Sequence, residues 1–551
     1  MQKIDLIRIY QRKTALVIDD FPDMRGSIRR MLLGFGIGQV DIAGSGEEAI
    51  ALCENRSFDI ILCDYNLGDG KNGQQILEEL RYRRLLRHTC IYMMITAETT
   101  KSMVFGALEY QPDDYLTKPF AQPVLQKRLD RLMQEKAALL EIHQAMDLGD
   151  YQRAGALCDR GADNGRYEQR RLRLKAQCHL LQEQFAQARA IYENALRERP
   201  LEWAQIGLGR CLMEMGELDA AARLFEQLIA QKCLCLEIYD YLAEIRSRQG
   251  DIALAQQLLE HASDISPNAI LRQQLLAEIS QSNGDWERAE KAHRKIVRLG
   301  ANSCYESPDN YFNLARAIAV QIRDDDNGRA RVKEAEEVLE RTRRRYRDDE
   351  QVRLQTDIIS AAIAARAGRL EQSRQQLAQA EAKIGDAEPP LAITLDLARA
   401  YQALGEREQA QRLLHDAAAR HPDDDSVADA VDRLADEPLT RKGQERAVSL
   451  NSQGKQLFAA QDYPRAIALF GQALRHYPNN IALKLNLLLA LVRQMNAGAP
   501  QADTLRRCDR LIDSIHPLPA EHPQHERFLL LWDHVDNLHE RLAAAEAGDE
   551  A

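Results

Sequence analysis

Nowhere in this chain of 551 residues does an apolar run approach the roughly 18 residues that a membrane-spanning helix needs. The opening MQKIDLIRIYQRK has no long apolar stretch of the kind a secretory leader carries. Both absences predict a cytoplasmic protein with no membrane partner. A basic surplus is missing too. The formal net charge is -11, whereas a phosphate backbone calls for a cationic footprint. No helix-turn-helix with a basic recognition helix is present, so a nucleic-acid partner is not expected. Residues 1–136 balance 19 basic against 19 acidic side chains, which puts the surplus acid in the remainder. The ten cysteines follow no framework spacing, and Cys233 and Cys235 have no second pair to complete a metal site. Reduced thiols fit the same compartment. Neither a Gly-rich phosphate loop nor a nucleophile elbow appears, so no enzymatic output is expected.

What is present begins with DIILCDYNL, residues 59 to 67. Four apolar residues, Ile60 to Cys63, run straight into Asp64, as in a strand buried on both faces of a parallel sheet. Around it, ALVIDD (15–20), QVDIA (39–43), IYMMIT (91–96) and DYL (114–116) read as further strands. Helix-period segments alternate with them at 23–33, 46–55, 73–84 and 102–108, and a long helix starts near Gln122. Five strands interleaved with helices imply a doubly wound parallel sheet with helices on both faces.

The polar residues at the strand ends then carry the chemistry. Asp19 and Asp20 end the first strand, Asp64 the third and Thr96 the fourth, and Lys118 follows the fifth. In such a sheet these ends share one edge. Crowded carboxylates call for a hard cation, and Mg²⁺ takes one or two of them with several waters. A lysine and a hydroxyl beside them suit phosphoryl oxygens, and an aspartate is a known covalent phosphate acceptor.

The acidic pair after strand one, Asp64, Thr96 and the closing YLTKPF resemble the receiver domain of bacterial two-component response regulators, over about residues 13–136. The resemblance implies a flavodoxin-like fold in which Asp64 accepts phosphate from a histidine kinase or phosphotransfer protein. It implies Mg²⁺ held by Asp20, Asp64 and the backbone carbonyl of Asn66, with Asp19 helping through water. Lys118 would pair with the phosphate and Thr96 would hydrogen-bond it. The peptide before Pro119 would be cis, Tyr115 would be the aromatic that swings inward, and Asn66 and Glu98 would tune dephosphorylation. The loop NLGDGKNG departs from the family in lacking its usual proline and in seeming one residue longer.

Beyond Gln122 the chain is almost continuously helix-compatible. Gly216, Gly250 and Gly284 recur every 34 residues, each followed by an acid, and Ala221, Ala255 and Ala289 keep the interval. Twelve residues before each turn alanine stands another small residue: Ala176, Gly209, Ala243 and Ala277. This helix–turn–helix period resembles the tetratricopeptide (TPR) repeat, which implies an all-α solenoid whose concave face binds a peptide or partner protein. The pattern weakens from 300 to 350, returns at Ala398, Gly405 and Ala410, and is clearest at Gly454, Leu457, Ala466, Phe470, Ala473 and Pro478. About nine to eleven helical pairs are expected, with 423–444 as a hinge or irregular repeat. RTRRRYR (341–347) reads as a solvated helix face, and RYRRLLRH (81–88) either as a docking patch or as an exposed helix end. His261, His293, His415 and His476 have no metal or catalytic spacing.

The expected organisation is a receiver with a short leader (1–136), TPR repeats (137–300), divergent repeats (301–440), and a last repeat with capping helices (441–551). The expected function is that of a response regulator whose repeats make the protein–protein output, with homodimerisation as an open alternative. A constitutive scaffold with an idle receiver is the competing reading.

Overall fold

The computed structural model describes residues 6–549 except 69, 98–108, 161–164, 324, 386, 387, 499, 500 and 517. The chain forms two compact units. One holds residues 1–245, 261–269 and 299–306, the other residues 246–260, 270–298 and 307–551.

The first unit opens with α1 (Leu6–Gln11) and a five-stranded parallel sheet in the order β2-β1-β3-β4-β5. The strands are β1 (Thr14–Ile18), β2 (Gln39–Ala43), β3 (Ile60–Asp64), β4 (Ile91–Thr96) and β5 (Asp114–Thr117). Helices α2 (Pro22–Gly34), α3 (Gly46–Asn55), α4 (Gly73–Tyr82) and α5 (Gln122–Ala138) cover it. The period-2 alternation of a strand sorts side chains to the two faces. Ala15, Val17, Ile60 and Leu62 meet α2 and α5 through Ile28, Leu32, Leu125 and Leu129. Leu16, Ile18, Ile61 and Cys63 meet α3 and α4 through Ala49, Ile50, Ile76 and Leu77. Every residue of β3 is buried, as its unbroken apolar run requires. Local capping starts the covering helices: Ser45 accepts from Glu48 N at 3.2 Å, and Asn72 forms a reciprocal capping box with Gln75. The helix expected at 102–108 lies outside the described residues.

After α5 a one-residue break at Leu139 leads into α6 (Leu140–Asp147), with no Gly or Pro linker. The sheet domain grips α6. The Asp147 carboxylate accepts from the backbone N–H of His88, and from Thr89 N and Oγ1 at 3.3 and 2.9 Å. His143 Nδ1 meets His88 O at 2.7 Å. In the RYRRLLRH stretch Arg81 donates to the carbonyls of Tyr110 and Gln111 and Arg83 pairs with Glu54, while residues 81–84 and 87 are exposed.

Burial pushes the His143 imidazole down to about 4, with the Lys136 charge adding to it. The unfolded chain therefore binds a proton there first, and stability falls as pH drops through about 6.5 towards 4. At about pH 5 this one residue costs ~2 kcal/mol. His143→Gln keeps a donor for His88 O and is expected to be less acid-sensitive than wild type by that amount, read from unfolding curves at neutral and mildly acid pH.

From Leu140 onward the described residues carry 22 helices. The small-residue positions are where large rings sit. A Cβ on Gly209 would lie 2.5 Å from the Phe225 ring, and one on Gly454 would lie 2.6 Å from Phe470. Each glycine thus lets its paired helix approach to ring contact.

In the second unit the weak-pattern region is regular helix: Pro308–Ala319, Asp326–Arg345 and Glu350–Arg366. The Arg-rich end of Asp326–Arg345 is laced to acids, Arg343 to Glu340 and Asp357 and Arg344 to Glu340, and its charge complements the helix C-terminus. The 423–444 stretch is ordered: the helix Asp425–Leu434, a corner at 435–440 and the start of the helix Arg441–Ala459. Buried Asp432 holds it by accepting from Leu439 N at 2.7 Å, Thr440 N at 3.0 Å and the Thr440 hydroxyl. Within this unit the array returns on itself. The backbone at Gly250 lies against Ala468 and Gly471, and Arg475 donates to Ser247 Oγ at 3.3 Å. Among the described residues no helix is long and apolar enough to cross a membrane.

Candidate functional site

The carboxyl edge of the sheet gathers the polar strand-end residues. Asp19 and Asp20 follow β1, and Asp64 closes β3, which pairs with both β1 and β4. That strand order sets the acids side by side, and a ligand oxygen of each of the three lies within 4.8 Å of the others. Asp19 and Asp64 are buried, and Asp20 is partly so. Lys118 reaches in from beyond β5, with Nζ 2.7 Å from Asp19 Oδ2 and 2.7 Å from Asp64 Oδ2. The Lys118–Pro119 peptide is cis, and Lys118 N donates to Thr96 O at 2.7 Å.

Burial raises the Asp64 carboxyl above the ordinary carboxylate range; Lys118 opposes that and Asp19 adds to it. Burial also works against the Lys118 ammonium, but its hydrogen bonds to Asp19 and Asp64 outweigh this and hold its pKa high. The lysine alone does not satisfy the cluster. Asp20 Oδ1 is buried with no hydrogen-bond partner among the described residues, although an unpaired buried carboxylate oxygen is costly. Three converging oxygens with one orphaned fit a hard divalent cation.

Thr96 is buried at the end of β4, beside Thr117 in register. Tyr115 is partly buried, packed against the α3–α4 side of the core. Asn66 lies in the loop after Asp64, where its Oδ1 accepts from Gly68 N at 3.4 Å. Glu98 lies outside the described residues. The departing loop turns through left-handed glycines, with φ of 69° at Gly68 and 102° at Gly70.

Sequence reasoning missed two residues that shape the floor of the site. Gly73 begins α4 directly under Asp64, and a Cβ there would fall 2.3 Å from Asp64 O. Tyr92 OH, from β4, donates to Gly73 O at 2.9 Å. The glycine was visible as a helix start, but its closeness to Asp64 depends on the fold. Gly73→Ala must push the β3 end or α4 aside. It is expected to lower divalent-cation affinity at the acids at least tenfold, measured by titration calorimetry, with the three carboxylates still in the chain.

The described residues contain no other group of three or more potential metal ligands. His293 is buried and held at about 4, and Cys233 donates to Glu202.

Comparison with known proteins fits this layout. Residues 15–130 match the response regulator receiver domain, and residues 180–233, 394–426 and 451–502 match tetratricopeptide repeats. Chemotaxis protein CheY-3 of Vibrio cholerae serotype O1 is 29% identical over 119 residues, which is 22% of this chain and 90% of that protein. Chemotaxis protein CheY of Pseudomonas aeruginosa is 28% identical over 119 residues, 22% of this chain and 94% of its own. Among solved structures, Vibrio cholerae CheY4 is 26% identical with a TM-score of 0.20, covering 22% of this chain and 97% of its own. A receiver domain is a signalling module and not an enzyme.

Proposed function

From a chain that joins a response regulator receiver domain to tetratricopeptide repeats, we propose a two-component response regulator phosphorylated on Asp64, with protein–protein interaction by the repeats as its output. The observation that carries the reading is the convergence of Asp19, Asp20, Asp64 and Lys118 on one buried edge, with Asp20 Oδ1 left without a partner. Asp19, Asp20 and Asp64 would hold Mg²⁺, together with the Asn66 carbonyl. Bound there, the ion supplies charge neutralisation for the carboxylates and for incoming phosphoryl oxygens.

The chain's own residues do the rest. Burial strips water from the Asp64 carboxylate, so its oxygen meets the phosphorus without a hydration shell to shed. An Asp64 O–P bond forms as the P–N bond of a phosphohistidine on a kinase or phosphotransfer partner breaks; the imidazole leaves with the bonding electron pair and takes a proton from water. Lys118 moves from the Asp64 oxygen to the phosphoryl oxygens. Thr96 then donates its hydroxyl to the same group, and Tyr115 closes into the space behind it. The added charge, about -1.5 to -2 at neutral pH, is what the switch reads.

The test is incubation of the full chain with Mg²⁺ and a small phosphodonor, followed by intact mass and peptide mapping. One phosphoryl increment, dependent on Mg²⁺ and mapped to Asp64, is expected. No increment leaves the repeats as a constitutive scaffold.

A further inference from the structure

The second unit holds a half-open cavity of about 850 Å³. That volume lies at the upper end of the roughly 300–1,000 Å³ typical of ligand sites. Its wall is cationic: Arg316, Arg366, Arg399, Lys484, Arg507 and Arg510 line it, and Asp513 is the one acid among the described lining residues. These side chains come from helices far apart in sequence, and the return of the array at Gly250 and Ala468 brings them around one space.

The acids nearby neutralise the wall only in part. Asp396, buried beneath it, pairs with Arg316 at 2.6 Å and with Arg399 at 2.8 Å. Asp251 stands near Arg507, and Asp436 near Lys484. Arg366 is exposed at the cavity, and the Nε atoms of Arg316 and Arg510 are buried without an acceptor. Burial lowers the pKa of Arg507 and brings Lys484 down to about 8. Holding like charges together in a protein-walled space works against folding. An anion that entered would relieve that cost, and low-dielectric walls focus the field that draws it in.

The wall is not cationic throughout. Trp286, Val320, Leu434 and Leu511, each partly exposed, form apolar faces between the charges. A small inorganic anion would leave those faces wet, whereas a peptide with acidic and apolar side chains would meet both kinds of surface. We propose that this cavity binds an acidic peptide segment of a partner protein, with Asp or Glu carboxylates on Arg366, Arg507 and Arg510 and apolar side chains on Trp286, Val320 and Leu511. The inference rests on the repeats being the protein-binding output and names the chemistry of what they take. Guanidinium forks suit carboxylates through paired hydrogen bonds.

The experiment uses the full chain and fluorescence anisotropy with a labelled peptide of alternating Glu and Leu. A Lys–Leu peptide, oligothymidylate and inorganic polyphosphate serve as comparisons. Saturable binding of the Glu–Leu peptide that weakens with salt is expected, with none of the Lys–Leu peptide. Arg366→Ala and Arg507→Ala are each expected to weaken it on the order of tenfold, and Arg366→Lys by less. Removing a cation from a like-charged cluster relieves repulsion, so these variants should fold. As a second readout, the peptide should raise the melting temperature of wild type and much less that of Arg366→Ala. No saturable binding, or equal binding to the alanine variants, overturns the proposal. So does displacement of the peptide by oligothymidylate or polyphosphate at equal or lower concentration, which would make this a nucleic-acid or phosphate site. Phosphodonor uptake on the same preparations keeps the two readings apart, because uptake without peptide binding removes this inference alone.

Discussion

Asp64→Asn is expected to reduce phosphoryl uptake to background without unfolding the sheet domain. Uptake needs a carboxylate oxygen at the end of β3, and asparagine fills the same space without one. Stability is the informative control. Burial raises the Asp64 pKa, so the charged form is disfavoured in the fold, and that cost applies above the folded pKa, where the group is ionised. Asparagine removes the cost, while Lys118 keeps its 2.7 Å partner in Asp19. Metal-free Asp64→Asn should therefore melt no lower than wild type. Mg²⁺ should raise the wild-type melting temperature by mass action and do so less in the variant. Asp20→Asn makes the complementary case: the acceptor remains but the partnerless oxygen is gone. Its uptake at fixed Mg²⁺ should slow on the order of a hundredfold, as when one preorganised electrostatic group is lost. Unchanged uptake in Asp64→Asn would place the acceptor elsewhere.

The site was legible because each of its residues ends a strand, and strand ends in a parallel sheet share one edge. The unbroken apolar run into Asp64 marked β3 as central, and it is flanked on both sides by strands. The small-residue period was legible for a similar reason: Gly209 and Gly454 answer to rings, Phe225 and Phe470, on the helix that follows each in the chain. What escaped the sequence depends on distant parts of the chain. Asp147 looks like any acid at a helix end, and only the fold sets it under His88 and Thr89. Asp432 sits in a run of acids and gives no sign that it orders the following corner. The cavity arginines resemble solvated helix cations. Arg366, in an otherwise Ala- and Ile-rich run, was the one local hint.

The return of the array is the feature least visible in sequence, and Gly250→Ala tests it with a large expected effect. Gly250 and Gly405 occupy the same turn between paired helices, with φ of 88° and 81°. Alanine in that left-handed conformation costs roughly 1–2 kcal/mol at either position. The two then diverge. A Cβ at Gly405 meets nothing within 4 Å, but at Gly250 it would lie 1.9 Å from Ala468 O and 2.8 Å from Ala468 C. No side-chain rotation relieves overlap with backbone, so the helix Tyr463–His476 or the turn at Gly250 must move. Such overpacking adds about 1–3 kcal/mol or more. Gly250→Ala should thus lose about 2–5 kcal/mol in urea unfolding, against about 1–2 for Gly405→Ala in the same unit. The cavity wall depends on the same closure, so Gly250→Ala should also weaken Glu–Leu peptide binding while Gly405→Ala leaves it near wild type. Equal losses at the two glycines would mean that Gly250 faces open solvent and that the arginines do not surround a common space.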